Sequence, residues 1–73
     1  MVYPEPFQRY RHYKGGTYEI ITMASNASDR SPMVVYRSVD FGSIYVRPLS
    51  EWEETVSDSE RGVYQVPRFK LIP

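Results

Sequence analysis

The sequence predicts an all-β fold, namely a small antiparallel SH3-like or partly open barrel of about five strands with at most one short helical turn. Clusters of Gly, Pro, Asn, Asp and Ser cut the chain into brief β-prone runs. No segment keeps a 3.6-residue apolar period for more than about two turns, which argues against a helical protein. Rolling several short strands into a barrel buries their faces and limits exposed edges, so we expect that architecture.

Composition narrows the class of protein. The chain has 73 residues, nine Lys and Arg against nine Asp and Glu, and 15 % aromatic residues. We expect a single domain over residues 1–73, with residues 1–8 as a loosely ordered arm. Zero net charge argues against a protein that coats DNA through charge alone. Because there is no Cys and only one His, we expect no disulfide, no metal site and no cofactor.

Targeting signals are also missing from the sequence. No apolar run approaches the roughly 20 residues of a membrane span. The first seven residues lack the basic and apolar segments of a secretory signal. We therefore expect a cytoplasmic protein with no membrane partner, and a monomer rather than an obligate oligomer.

The first predicted hairpin lies on either side of a Gly-Gly pair. The runs Tyr10–Lys14 and Thr17–Met23 flank Gly15 and Gly16, and such a pair suits a turn that needs positive φ. Alternation in the second run places Tyr18, Ile20 and Thr22 on one face, and Met23 on the other. Both faces carry apolar side chains, so we expect a strand that is covered on two sides or bent.

The second predicted hairpin follows a polar loop over Ser25–Ser31. A valine-rich run, Met33–Val39, meets the turn residues Asp40–Ser43 and then a second run, Ile44–Arg47. Two β-prone runs around a glycine-containing turn form the strongest local pattern of the chain.

The rest of the chain is predicted as one helical turn, a loop and two strands. Ser50 and Glu53 have capping-box spacing, which predicts a turn over Ser50–Glu54. A loop is expected over Ser57–Gly62, followed by strands over Val63–Val66 and Phe69–Ile72. Pro67 between them suits an edge or a bend.

Four stretches in this order resemble a known family. They are YRHYKGGTYEI (residues 10–20), PMVVYRS (32–38), IYVRPLSEW (44–52) and VPRFKLI (66–72). Together they resemble the small, mostly bacterial family called domain of unknown function 1653. The resemblance implies a compact β domain that typically makes up the whole protein. It implies no particular activity, substrate or cofactor.

Basic and aromatic residues alternate along the opening strand, RYRHYK (residues 9–14). This pattern suits a nucleic-acid surface, because cations neutralise phosphates while rings stack on bases. Strand alternation puts His12 and Lys14 on one side, and Arg11 and Tyr13 on the other. The alternative is that the tyrosine rings pack inward under the stems of the basic side chains.

Three arginines in later strands could form a positive group. Arg37 and Arg47 flank the second turn, and counting outward from it predicts that they lie close together, with Arg68 as a third member. Such a group would hold a phosphate or carboxylate. The competing interpretation pairs these arginines with Glu19, Asp40 and the acidic residues between 51 and 60.

Four aromatic side chains are candidates for a cage around an organic cation, namely Tyr13, Tyr36, Tyr45 and Trp52. The alternative is that they form the hydrophobic core. His12, the single histidine, is the candidate for a general base in a small enzyme. Its alternative role is a structural hydrogen bond beside the hairpin turn.

The leading hypothesis is therefore a non-enzymatic binding module for an extended ligand such as single-stranded nucleic acid or RNA. One alternative is an accessory domain that binds a protein or peptide, and another is a small enzyme that uses His12. We expect no catalytic residue and no metal ligand. The candidate ligand-binding residues are Arg11, His12, Tyr13, Lys14, Tyr36, Arg37, Tyr45, Arg47, Trp52 and Arg68.

Overall fold

A computed structural model describes residues 3–58 and 62–73, apart from the side chains of Asp58 and Val63. Within these residues the chain forms seven strands and one short helix. The elements are β1 (Arg9–His12), β2 (Thr17–Ser25), β3 (Pro32–Ser38), β4 (Ile44–Pro48), α1 (Leu49–Trp52), β5 (Thr55–Asp58), β6 (Val63–Pro67) and β7 (Phe69–Ile72). The predicted all-β fold is confirmed.

Five of the strands form one antiparallel sheet in the order β4-β3-β2-β1-β7. This sheet is open, with β4 and β7 at its two edges. Strands β5 and β6 pair separately as a hairpin. The described chain therefore forms one open five-stranded sheet. The small β5–β6 hairpin precedes β7, the last strand of that sheet, in the sequence.

The first hairpin is confirmed, and its turn starts earlier than predicted. Strand β1 ends at His12, whose carbonyl accepts a hydrogen bond from the Gly15 N–H at 2.9 Å. Gly15 and Gly16 have φ of 104° and 87°, which residues with a Cβ rarely adopt. Tyr13 and Lys14 therefore belong to the turn, and the strand alternation predicted for them stops at His12.

The second hairpin is also confirmed, with Tyr36 directly opposite Tyr45. In its turn Ser38 accepts two hydrogen bonds. The Phe41 N–H donates to the buried Ser38 Oγ at 3.1 Å, and the Gly42 N–H donates to the Ser38 carbonyl at 2.8 Å. Ser38 thus uses both its side chain and its backbone to close the connection.

A bulge in β2 changes the predicted faces of that strand. The register shifts between Ile20 and Thr22, so one extra residue is inserted on the β2 side. As a result Met23, instead of Thr22, joins Tyr18 and Ile20 against the core, while Thr22 is exposed. The predicted grouping of Thr22 with Tyr18 and Ile20 is wrong for this reason.

The helical turn exists, but without the predicted cap. Helix α1 begins at Leu49 directly after Pro48, and no side chain caps it. Pro48 occupies the N-cap position with φ of −55° and ψ of 140°, so the first helical residue is Leu49, one residue before Ser50. The spacing of Leu49 and Trp52 brings both side chains onto one face, where they are buried.

The loop predicted over Ser57–Gly62 is only partly correct. Ser57 and Asp58 belong to β5, because this strand finds a partner in β6, with Val56 opposite Val66. Residues 59–61 lie outside the described residues. Pro67 ends β6 in a two-stranded hairpin, which fits the edge position expected for it.

The core lies between the inner face of the sheet and α1. Its buried members are Ile20, Val34, Tyr36, Leu49, Trp52 and Phe69, with Tyr10, Tyr18 and Met23 packed at its margin. A core this rich in rings suits a small domain, because each ring buries a large area for few rotatable bonds.

The segment before β1 contacts the sheet. The Phe7 N–H donates to the Ile20 carbonyl at 3.0 Å, the Ile20 N–H donates to the Gln8 carbonyl at 2.9 Å, and Pro4 is buried. Residues 1 and 2 lie outside the described residues, so the loose order expected for residues 1–8 stays a prediction.

Among the helices of the described part, none is long and apolar enough to cross a membrane.

Candidate functional site

A continuous group of rings covers the inner face of the sheet. Neighbouring ring centroids are 3.8–6.4 Å apart, mostly in edge-to-face contacts. The members are Tyr10, His12, Tyr18, Tyr36, Tyr45, Trp52 and Phe69. Helix α1 buries one end of this group, where Trp52 stacks on Phe69. At the other end Tyr45 is 46 % exposed, so the rings reach solvent there.

The exposed end of the ring group borders an open cavity of about 210 Å³, which we call the inner cavity. It is lined by His12, Tyr18, Tyr36, Tyr45, Arg47 and Phe69. Arg47 Nε donates a hydrogen bond to Tyr36 Oη at 3.2 Å, and Arg47 Nη1 lies 3.6 Å from a Glu51 carboxylate oxygen. The hydrogen bond to Tyr36 thus holds a cation in the cavity wall, and this bond together with the charge of nearby Glu51 raises the Arg47 pKa.

The inner cavity is a poor cage for an external cation. The Arg47 guanidinium carbon lies 5.9 Å from the centroid of Phe69, so a cation already occupies that aromatic wall. Of the four predicted cage residues, only Tyr36 and Tyr45 line the cavity. Trp52 is buried in the core, and Tyr13 lines a different surface.

That second surface, which we call the basic groove, has a volume of about 320 Å³. It is lined by Arg11, His12, Tyr13, Val66, Pro67 and Lys70. Arg11 in β1 lies directly opposite Lys70 in β7, an arrangement of like charges that costs stability. Among the carboxylates whose side chains the structure describes, none lies within 4.0 Å of either cation. Lys14 adds a third cation, with its Nζ 5.7 Å from the Tyr13 ring centroid.

His12 lines both the inner cavity and the basic groove. Its Nδ1 accepts a hydrogen bond from the Lys14 N–H at 3.1 Å, so the neutral ring carries its proton on Nε2. Burial lowers the His12 pKa, and the positive charges of Arg47, Arg68 and Lys14 lower it further. The ring therefore acts as a neutral donor at Nε2.

No cluster of three metal-binding side chains occurs in the part of the chain that the structure describes.

The predicted proximity of Arg37 and Arg47 is wrong. Arg37 lies opposite Ile44, whereas Arg47 lies opposite Val34 on the core side. Residues an odd number of positions from one another within a strand point to opposite faces, so the two guanidiniums lie on opposite sides of the sheet. Arg37 instead contacts Glu19, with Nη2 at 2.8 Å from the carboxylate.

Arg68 is held by the helix end and the residues after it. Its Nε donates to the Glu51 carbonyl at 3.2 Å, and its Nη2 lies 3.2 Å from the Glu54 carboxylate. The interpretation that pairs the arginines with nearby acids therefore holds for Arg37, Arg47 and Arg68. Arg68 is nevertheless close enough to His12 to lower its pKa, so it contributes to the field at the site.

The structure brings some predicted residues together and adds others. Sequence reasoning missed Tyr18 and Phe69 in the inner cavity and Lys70 in the basic groove. The Gly-Gly turn does carry a signal for Tyr18. The hairpin that it predicts pairs Tyr18 with Tyr10, which lies on the same face of β1 as His12. Nothing local indicates Phe69 or Lys70, since both reach the site through the pairing of β7 with β1, the strands at opposite ends of the chain.

Comparison with known proteins gives the family and leaves the activity open. No curated protein and no solved structure matches the chain. The family model described as protein of unknown function (DUF1653) matches residues 8–71, from the start of the sheet to its last strand. With nearly all of its length covered by that model, the chain belongs to the DUF1653 family.

Proposed function

We propose that the chain is a non-enzymatic binding module for single-stranded nucleic acid, with the basic groove as the surface that contacts the strand. The observation that carries the proposal is the pair of Arg11 and Lys70, placed directly opposite each other beside Tyr13 and His12. Phosphates would neutralise the two cations, and bases would stack on the Tyr13 ring.

Charge compensation elsewhere in the chain supports this choice of surface. Arg9 and Arg37 share Glu19, while Arg47 and Arg68 contact Glu51 and Glu54. Among the described side chains, no carboxylate pairs with Arg11 or Lys70 at the basic groove. Opposing cations in adjacent strands cost stability, and a bound phosphate would relieve that cost.

The test is binding of a fluorescein-labelled, mixed-sequence single strand, followed by anisotropy at a series of salt concentrations. Replacing both cations, as Arg11→Gln with Lys70→Gln, should weaken binding and reduce the slope of log K against log salt by about 0.7 for each phosphate that is no longer neutralised. Arg30→Gln in the loop between β2 and β3 is the control, because it removes one charge away from the groove. No binding at low salt, or unchanged binding by the double variant, would refute the proposal.

His12 supports a binding role more than a catalytic one. In the neutral tautomer the ring has one lone pair, on Nδ1, and that lone pair accepts the Lys14 N–H. A general base needs a free lone pair within reach of the proton it removes.

The proposal also includes a monomer that acts in the cytoplasm, as the sequence led us to expect. Sedimentation over a range of protein concentrations tests the monomeric state.

A second candidate function is peptide binding at the β4 edge. Ile44 and Val46 are 66 % and 59 % exposed, and within the described residues no strand covers the outer edge of β4. A peptide could add there as a further strand, with main-chain hydrogen bonds supplying affinity. Such binding would depend little on salt and would shift the amide resonances of β4, whereas strand binding in the basic groove would shift those of β1 and β7.

A further inference from the structure

We infer that the inner cavity selects, within a bound strand, a base that presents two adjacent hydrogen-bond acceptors, which means guanine or cytosine in preference to adenine or thymine. The inference rests on the proposed function and concerns a different cavity from the one that would hold the phosphates. Its basis is that Arg47 and His12 both line the inner cavity with donors that have no acceptor in the described part of the chain.

The two donors can be identified atom by atom. Arg47 uses Nε toward Tyr36 and Nη1 toward Glu51, and Nη2 has no acceptor within the described residues. His12 uses Nδ1 as an acceptor, so its Nε2–H is the second donor without a partner in that part of the chain. Donors in a cavity that lack acceptors favour a ligand edge that accepts, because an unmatched donor costs free energy when water leaves.

The cavity lining offers a base one ring to stack on. Tyr18 and Tyr45 stand edge-to-face with centroids 6.4 Å apart, so they contact each other and a base would lie against Tyr45 instead of between the two rings. Tyr45 at the rim is exposed, so a base can approach its face from solvent. Arg11 and Lys70 point away from the inner cavity, but His12 at the end of β1 lines both sites, so a strand that passes around this end could place a base in the inner cavity and the phosphates of other nucleotides in the basic groove.

Base chemistry then gives the preference. Guanine presents N7 and O6 side by side, and cytosine presents N3 and O2 side by side. Adenine places its N6 amino donor next to N7 and N1, and thymine separates its two carbonyl oxygens with the N3–H donor. Arg47 Nη2 and His12 Nε2 would each donate to one of two adjacent acceptors, whereas an amino group in the same place would face donor against donor.

The experiment uses four thymidine strands that differ only in the central nucleotide, which is G, C, A or T. We expect the G strand, the C strand or both to bind about fivefold or more tightly than the A and T strands. Equal binding of all four strands, or tighter binding of the A strand, would overturn the inference and leave the proposed function standing. Absence of binding by every strand at low salt would overturn both.

Two variants separate base selection from charge. Arg47→Lys keeps the positive charge but replaces the positioned Nη2 donor with a mobile ammonium group, so it should bring binding of the G and C strands down to the level of the T strand. Glu51→Gln removes the carboxylate near Nη1 and should retain the preference with tighter binding overall. This second variant leaves the Arg47 contact with Tyr36 in place, so it tests the inference even if Arg47→Lys does not fold. Loss of preference in Glu51→Gln, or its persistence in folded Arg47→Lys, would contradict the inference.

Discussion

Trp52 and Phe69 lie flat against each other, with ring planes 8° apart and centroids 3.8 Å apart. Trp52 belongs to the single-turn helix and Phe69 to the edge strand β7, so this contact fastens the helix to the last strand of the sheet. Tyr36 meets both rings edge-on, at 4.9 and 5.5 Å. The stack therefore lies at the centre of the core, and Phe69 also lines the inner cavity.

Removing one ring of this stack should cost much of the stability of so small a domain. We expect Trp52→Ala to lower the free energy of unfolding by about 3–5 kcal/mol, because the indole is buried and its loss leaves a cavity. Urea unfolding followed by circular dichroism measures the change. Tyr64→Ala is the control, since that ring is 64 % exposed and its loss should have an effect within about 0.5 kcal/mol. Similar costs for the two variants would contradict the assignment of Trp52 to the core.

Glu19 should make the stability of the domain depend on acid pH. Its hydrogen bond to Arg37, and a second to Arg9, lower the Glu19 pKa below its ordinary value of 4.5. The unfolded chain therefore takes up this proton at a higher pH than the folded chain does. The stability that Glu19 contributes is present above pH 4.5 and is lost as the pH falls through the lowered pKa.

The measurement is the urea midpoint of unfolding from neutral to acid pH for the wild type and Glu19→Gln. We expect the variant to be less stable at neutral pH and to lose less stability on acidification. Glu53→Gln removes an exposed carboxylate next to α1 and serves as the control. If the Glu19→Gln variant followed the wild-type acid profile, the two arginines would not be stabilising this carboxylate.

Gly15 should accept D-alanine in place of glycine but should be destabilised by L-alanine. Its φ of 104° suits a residue of D chirality, and a Cβ built there meets no atom within 4 Å. We expect Gly15→Ala to destabilise the domain by about 1 kcal/mol or more, and D-alanine at the same position, in a chemically synthesised chain, to stabilise it slightly. Thermal unfolding of the two chains compares them, and equal melting temperatures would show that the turn adopts another conformation.

Local sequence patterns predicted the two hairpins. The bulge in β2 and part of the site depend on contacts between residues far apart in the sequence, which local patterns do not reveal. The glycine pair and the Asp40–Ser43 turn impose their pairings on the strands beside them. The bulge after Ile20 depends on how β2 fits β3, so simple alternation failed there. The same holds for the site: His12 was recognised from its neighbours in sequence, but Phe69 and Lys70 came from strand pairing across most of the chain. Separating Arg37 from Arg47 required the exact register of β3 and β4.

The protonation state of His12 can be measured directly, because His12 is the only histidine in the sequence and its NMR signals are therefore unambiguous. Burial and three neighbouring cations lower its pKa below the ordinary 6.5. The folded chain therefore binds this proton less readily than the unfolded chain does. Stability falls as the pH drops from 6.5 through the lowered pKa, and His12→Asn should remove this part of the pH dependence.

Nitrogen-15 NMR of the imidazole tests both the pKa and the tautomer. We expect a titration midpoint below 6.5 in the folded chain and near 6.5 in urea, with the neutral ring protonated at Nε2 because Nδ1 accepts the Lys14 N–H. Addition of a single-stranded oligonucleotide should raise the midpoint, since phosphates near Arg11 and Lys70 favour the charged ring. A neutral ring protonated at Nδ1 would mean that the turn does not orient His12 toward the inner cavity, and the donor assigned to that cavity would be lost with it.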